Sequence, residues 1–214
     1  MYRLPLSERE ALVGESPIRK LAPYAADAEH EGVHVYRLNI GQPDIATPEV
    51  MRRAYAEAPE VVAYGPSEGL PGFRAALASY YHRWGIDVGA EQLMVTNGGS
   101  EAIIFSLMAI TSPGDEIIIP EPYYANYNGF AAMVGVKIVP VTTTLSSGFH
   151  LPSIEDFEVK ISDRTRAILF SNPGNPTGAV FSRGRLEQLV DLARRKGLYL
   201  ISDEVYREFT YDGA

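Results

Sequence analysis

Ser171-Asn172-Pro173-Gly174-Asn175-Pro176-Thr177-Gly178 follows directly on the apolar run Ala167-Ile168-Leu169-Phe170. Ser202-Asp203-Glu204-Val205-Tyr206 follows in the same way on Leu198-Tyr199-Leu200-Ile201. Short apolar runs bounded by turn residues read as buried strands. In both cases the polar residues arrive where the strand ends. In an open α/β sheet the carboxyl ends of the strands are where ligands bind. The two segments therefore bear on fold class and on candidate binding residues together.

Outward from them, further strands are predicted over residues 93–96, 116–119 and 137–141, with helical patterns over 100–110, 124–134, 154–159 and 183–196. Strands alternating with helices imply an α/β fold, a three-layer α/β/α arrangement around a mainly parallel sheet. Before Glu91 the rhythm differs. Ser16-Pro17 opens a helix reaching about residue 31, with Pro17 suited to its first turn. A strand is predicted over 33–40 and ends in the turn Gly41-Gln42-Pro43-Asp44. Thr47-Pro48-Glu49 starts another helix, and Gly69-Leu70-Pro71-Gly72 leads into one over 73–84.

Composition narrows the class. The 214 residues are 46% hydrophobic and 21% charged, the profile of an ordinary globular protein and not of a disordered one. A net charge of −8 without a basic run argues against nucleic acid or an anionic membrane as partner. Arg194-Arg195-Lys196 reads instead as the favourable positive end of a helix. Cysteine is absent, which excludes disulfides and thiolate chemistry. Met1-Tyr2-Arg3-Leu4-Pro5-Leu6-Ser7 has no apolar core of signal-peptide length, and no stretch approaches the ~18 apolar residues of a membrane span. The reading is a cytoplasmic protein that uses no metal.

Three segments carry candidate chemistry. Asn97-Gly98-Gly99-Ser100-Glu101 joins the predicted strand 93–96 to the helix behind it. Glycines let a ligand approach the backbone, and the free N–H groups of a helix N-terminus favour an anion. The same segment would also serve as a plain strand-to-helix turn with Ser100 as N-cap. It is not a Walker loop, because no Gly-Lys-Ser/Thr follows. Asp203, at a strand end, suits a carboxylate that holds a proton on a heterocycle, or one that caps the next turn. Asn175 sits in a Pro/Gly-rich loop that would fix its amide, although an isolated Asn-Pro more often marks only a turn. Tyr206 would place a phenol beside the same ligand or simply pack.

Taken in order, Gly98-Gly99-Ser100, Asn175-Pro176-Thr177-Gly178 and Asp203-Glu204-Val205-Tyr206 resemble the class I/II pyridoxal-phosphate aminotransferases of fold type I. Ser16-Pro17-Ile18-Arg19, Asn39-Ile40-Gly41-Gln42-Pro43-Asp44, Tyr64-Gly65, Gly69-Leu70-Pro71 and Pro122-Tyr123-Tyr124 extend the match. The resemblance implies pyridoxal 5'-phosphate as cofactor, with its phosphate at Gly98, Gly99 and Ser100. Asp203 would pair with the ring nitrogen, and Asn175 and Tyr206 with the phenolic oxygen. Tyr124 would stack on the ring, Tyr123 being the alternative. Tyr64 would reach the phosphate of a neighbouring subunit, which implies a homodimer, and Gly41 and Asn175 would lie near the substrate carboxylate.

The resemblance further implies an N-terminal arm with part of a small domain over 1–47 and a cofactor-binding large domain over 48–214. The implied reaction moves an amino group between an amino acid and a 2-oxo acid; a lyase of the same fold or a non-catalytic cofactor-binding remnant are the alternatives. In the family the lysine that carries the cofactor lies downstream of the aspartate. Lys20, Lys137, Lys160 and Lys196 occupy no comparable setting. The expectation is an N-terminal portion without that lysine, inactive alone.

Overall fold

The computed structural model describes residues 4–13, 16 and 18–211. Pro17, expected in a first helical turn, lies outside them. The chain divides into two compact units, residues 17–96 and residues 1–16 with 97–214.

Among its described residues the 17–96 unit carries three α-helices, α1 (Ala22–His30), α2 (Glu49–Ala56) and α3 (Pro71–Arg83). The first expected helix is shorter than its pattern. Arg19–Leu21 forms a 3₁₀ turn, and α1 begins only where Pro23 occupies the opening positions. Proline lacks an N–H and is tolerated there because that donor has no partner within the helix. Two predicted strands, 33–40 and 93–96, are not formed. A strand exists only through a ladder partner, and neither segment pairs with one among the described residues. Val95 instead donates its N–H to Glu68 O at 3.0 Å. This unit has little interior: Ala78 alone is buried among its described hydrophobic residues, and Leu38 is 93% exposed.

The larger unit is built as α4 (Gly98–Ile110), β1 (Glu116–Glu121), α5 (Asn126–Val134), β2 (Lys137–Thr142), α6 (Ile154–Glu158), β3 (Thr165–Ser171), α7 (Arg183–Lys196) and β4 (Tyr199–Asp203). The four strands form one sheet in the order β2-β1-β3-β4, and every neighbouring pair is parallel. Alternate residues of β1 and β3 enter two separate cores. Ile117, Ile119, Ala167 and Leu169 pack with Ile103 and Leu107 of α4 and Tyr127 and Phe130 of α5. Ile118, Ile168 and Phe170 pack with Phe157 of α6 and Leu189 and Leu192 of α7. Side chains alternate across a strand, so a sheet covered on both faces requires continuous apolar runs. That is the physical reason Ile117-Ile118-Ile119 and Ala167-Ile168-Leu169-Phe170 read as they do. Pro140 lies on edge strand β2, where a missing N–H is tolerated and discourages further pairing.

Helix ends follow their chemistry. Gly197, at φ 68°, terminates α7 in the left-handed conformation that glycine adopts without a Cβ clash. In the last turn, Lys196 Nζ lies 2.7 Å from Glu158 Oε1. At the start of β1, Glu116 accepts from Ser162 Oγ at 2.6 Å and from Lys137 Nζ at 3.2 Å. It thereby ties β1 to β2 and to the turn before β3.

Leu192 is fully buried. Replacing it by alanine removes its packing and leaves a cavity, so Leu192→Ala is expected to cost about 2–5 kcal/mol in urea unfolding. The Ser162 hydroxyl, followed by Lys137, holds the Glu116 carboxyl below its ordinary value of 4.5. A depressed folded value means that this contribution is present above the ordinary value and is lost as acid protonates the folded carboxylate. Glu116→Gln is therefore expected to lower the unfolding midpoint at neutral pH and to flatten its decline on acidification, read by thermal melts across pH.

Candidate active site

The carboxyl ends of β3 and β4 lie side by side, with Ser171 opposite Asp203 in the ladder. Asn172 N–H donates to Asp203 O at 3.1 Å, extending the pairing into the loop. Together with the first turn of α4 and with α5 they enclose a cleft of about 190 Å³. Gly99, Ser100, Tyr124, Tyr127, Asn175, Asp203 and Tyr206 are among its lining residues. Six residues singled out from sequence are thus brought to one place. Gly98 is the residue before Gly99, at φ 74°, a left-handed conformation that glycine accepts readily. Tyr64 and Gly41 belong to the 17–96 unit, and Tyr64 is fully exposed there.

At α4 the cap position is Asn97 and not Ser100, which lies inside the first turn. The Glu101 carboxylate accepts the Asn97 N–H at 2.7 Å. A Cβ built on Gly99 meets nothing within 4 Å, so the approach to this backbone is open. Among the described residues no hydrogen bond engages the side-chain polar groups of Ser100, Asn175 or Tyr206, whose donors therefore remain available to a ligand.

The loop after β3 is closed on itself. Gly174 N–H donates to Ala179 O at 2.9 Å, Gly178 N–H to Gly174 O at 2.7 Å and Ala179 N–H to Thr177 Oγ1 at 3.2 Å. Asn172 Oδ1 accepts the Phe181 N–H at 2.9 Å and so clamps both ends. These bonds fix the backbone that carries Asn175 without occupying its amide. Sequence reasoning had no signal for Asn172 beyond its place in the same Asn-Pro-rich loop.

Tyr124 lines the cleft, whereas Tyr123 lines an adjoining cavity with Pro120 and Phe149 that shares Ser171 and Asn175 with it. Tyr124 Oη accepts from Asn126 Nδ2 at 2.7 Å, which holds its ring in position. The residue that sequence reasoning missed is Tyr127. Its hydroxyl donates to Asp203 Oδ2 at 2.7 Å, and Val205 N–H donates to Asp203 Oδ1 at 3.3 Å. Asp203 thus does cap the turn that follows it while also facing the cleft. Burial, and then the Asp203 carboxylate, push the Tyr127 phenol well above the ordinary tyrosine range. The only available signal was its spacing, one helical turn after Tyr124.

A carboxylate, an aromatic wall, unengaged hydroxyl and amide donors and a helix N-terminus fit a flat heterocycle bearing an anionic group. No lysine is among the lining residues. Lys137 and Lys196 are instead in surface ion pairs with Glu116 and Glu158.

Comparison with known proteins identifies the family. The family model for aminotransferase class I and II matches residues 33–214. An aspartate aminotransferase of Streptomyces avermitilis is 36% identical over 98% of this chain and 53% of its own length. An aspartate/prephenate aminotransferase of Thermus thermophilus is 36% identical over 97% of this chain and 54% of its own length. Among solved structures, an alanine aminotransferase from Pyrococcus furiosus superposes with a TM-score of 0.92 at 38% identity, covering 98% of this chain and 54% of that one. The chain therefore belongs to the aminotransferase class I and II family. It spans about half the length of the relatives it matches.

Asn172→Ala is expected to release the Phe181 N–H and loosen the Asn175 loop at a cost of about 1–2 kcal/mol. Amide hydrogen exchange at Phe181 should quicken while exchange in β1 is unchanged.

Proposed function

We propose that this chain forms the cofactor-holding part of a pyridoxal-phosphate-dependent aminotransferase, an enzyme that moves an amino group between an amino acid and a 2-oxo acid. The supporting observation is the convergence of Ser100, Tyr124, Asn175, Asp203 and Tyr206 on one cleft. When bound, the cofactor supplies a protonated aromatic ring that withdraws electrons from the substrate Cα. Each lining residue then has a separate task.

Gly98, Gly99 and the Ser100 hydroxyl would hold the phosphate at the positive end of α4. Tyr124 covers one face of the ring and excludes water from it. Asp203, an acceptor with a donor already on each oxygen, holds the proton on the ring nitrogen. Asn175 and Tyr206 donate to the phenolic oxygen and favour its ionised form. Since no lysine lines the cleft, these residues hold the cofactor without a covalent bond in the 214-residue chain.

The rest of the proposal extends beyond this cleft. Residues 1–47 are assigned to an N-terminal arm with part of a small domain, and 48–214 to the cofactor-binding large domain. The full-length protein is proposed to act as a cytoplasmic homodimer in which the exposed Tyr64 reaches the phosphate held by the other subunit. Gly41 and Asn175 would receive the substrate carboxylate. The net charge of −8 supports a small-molecule substrate and not a nucleic acid or a membrane surface.

Calorimetric titration of the chain with pyridoxal 5'-phosphate, and with pyridoxal as the phosphate-free control, tests the cofactor reading. Saturable binding that needs the phosphate is expected. Ser100→Ala should weaken it about tenfold, the equivalent of one charge-assisted hydrogen bond. Asp203→Ala should weaken it further. Equal affinity for pyridoxal, or no binding at millimolar concentration, would overturn the reading. Conversion of a 2-oxo acid to its amino acid by the full-length protein tests the reaction.

A further inference from the structure

We infer that Tyr127 is a positioning residue for the ring-nitrogen site, acting through Asp203, an inference that rests on the cofactor reading above. The hydroxyl of Tyr127 donates to Asp203 Oδ2 at 2.7 Å across 76 residues of sequence. Val205 N–H reaches the other oxygen at 3.3 Å. Two donors on two oxygens fix both the position and the plane of the carboxylate, which a single bond would leave free to rotate. Carboxylate oxygens have further lone pairs, and Asp203 lines the cleft, so it can accept a further donor there.

Tyr127 is itself held rigidly. Its side chain is 1% exposed and belongs to the core formed by Ile103, Leu107 and Phe130. Tyr124 meets its ring edge-on at 5.5 Å, and Tyr123 lies stacked at 6.1 Å. One side chain thus couples the ring-covering wall of the cleft to its carboxylate. Burial and the adjacent carboxylate both favour the protonated phenol. Tyr127 therefore remains a donor throughout the pH range in which an enzyme of this kind works, and it cannot repel Asp203 by ionising.

The role differs from packing alone, because phenylalanine would fill the same core while leaving Asp203 Oδ2 without its partner. With the carboxylate freer to turn, the ring nitrogen loses an aligned acceptor, and its proton is held less tightly.

The test has two arms. In the cofactor-free chain, carbon-13 labelling at tyrosine Cζ reports ionisation of each phenol. Tyr127 is expected to stay protonated past the ordinary tyrosine range and to titrate earlier in Asp203→Asn; ordinary titration in the unmodified chain would overturn the inference. In the second arm, pyridoxamine 5'-phosphate labelled with nitrogen-15 in the ring is bound to the unmodified chain and to Tyr127→Phe. The variant's circular dichroism is compared first to establish that it is folded. The pH at which the bound ring nitrogen loses its proton should fall by about one unit in the variant, a tenfold weakening of proton retention. An unchanged ring-nitrogen titration in a folded Tyr127→Phe overturns the positioning role and leaves the cofactor reading intact. Failure of the unmodified chain to bind the labelled compound overturns the cofactor reading, and the positioning role with it.

Discussion

The parallel pairing of β3 with β4 is the constraint on which the candidate site depends. It aligns the two strand ends so that Ser171 stands opposite Asp203, and it continues one bond further through Asn172 N–H. Parallel strands point their carboxyl ends the same way, so whatever follows them collects along one edge of the sheet. The Asn175 loop and the Asp203 turn are adjacent for that reason, although they are well separated along the chain. A shift of one residue in this register would turn Asp203 to the opposite face. The register is in turn held by apolar side chains on both faces: Ile168 and Phe170 pack with α6 and α7, and Ala167 and Leu169 with α4 and α5.

The site is polar but rests on the first of these cores. Tyr127 belongs to the same cluster as Ile117, Ile119 and Leu169, and its hydroxyl emerges from that cluster to meet Asp203. An unpartnered buried hydroxyl would cost about 1–3 kcal/mol, more than a typical net hydrogen bond returns. The bond to Asp203 is consequently best understood as what makes a tyrosine tolerable at a position that packing alone would give to phenylalanine. Rigidity passes from the core to the carboxylate through one ring.

The 17–96 unit shows the converse. Its helix α3 starts at Pro71, where proline placement indicates, and α2 starts just after Pro48, which takes the cap position in place of Thr47; neither helix has a side-chain capping bond. Residues 33–40 and 93–96 have strand-like patterns but no ladder partner among the described residues, and they run as irregular chain. Apolar residues such as Leu38, Val62 and Trp84 remain exposed for the same reason: the pattern specifies a face to be covered, not what covers it. Helix α1 begins with Pro23 in its opening turn, later than the Ser16-Pro17 pattern indicates.

The sequence by itself determined the α/β class, the four strands that pair among the six it indicated, the helices between them and most cleft residues. Periodicity, glycine turns and strand-end polar residues are local properties that need no partner to be read. Gly99, Ser100, Tyr124, Asn175, Asp203 and Tyr206 were legible on those grounds together with the family resemblance. Only the tertiary structure decided that Tyr124 and not Tyr123 faces the cleft, that Asn172 clamps the loop, and that Tyr127 holds Asp203. Each of those depends on which side of a helix or loop meets a distant strand. That choice is made by packing between segments, and no spacing within a single segment records it.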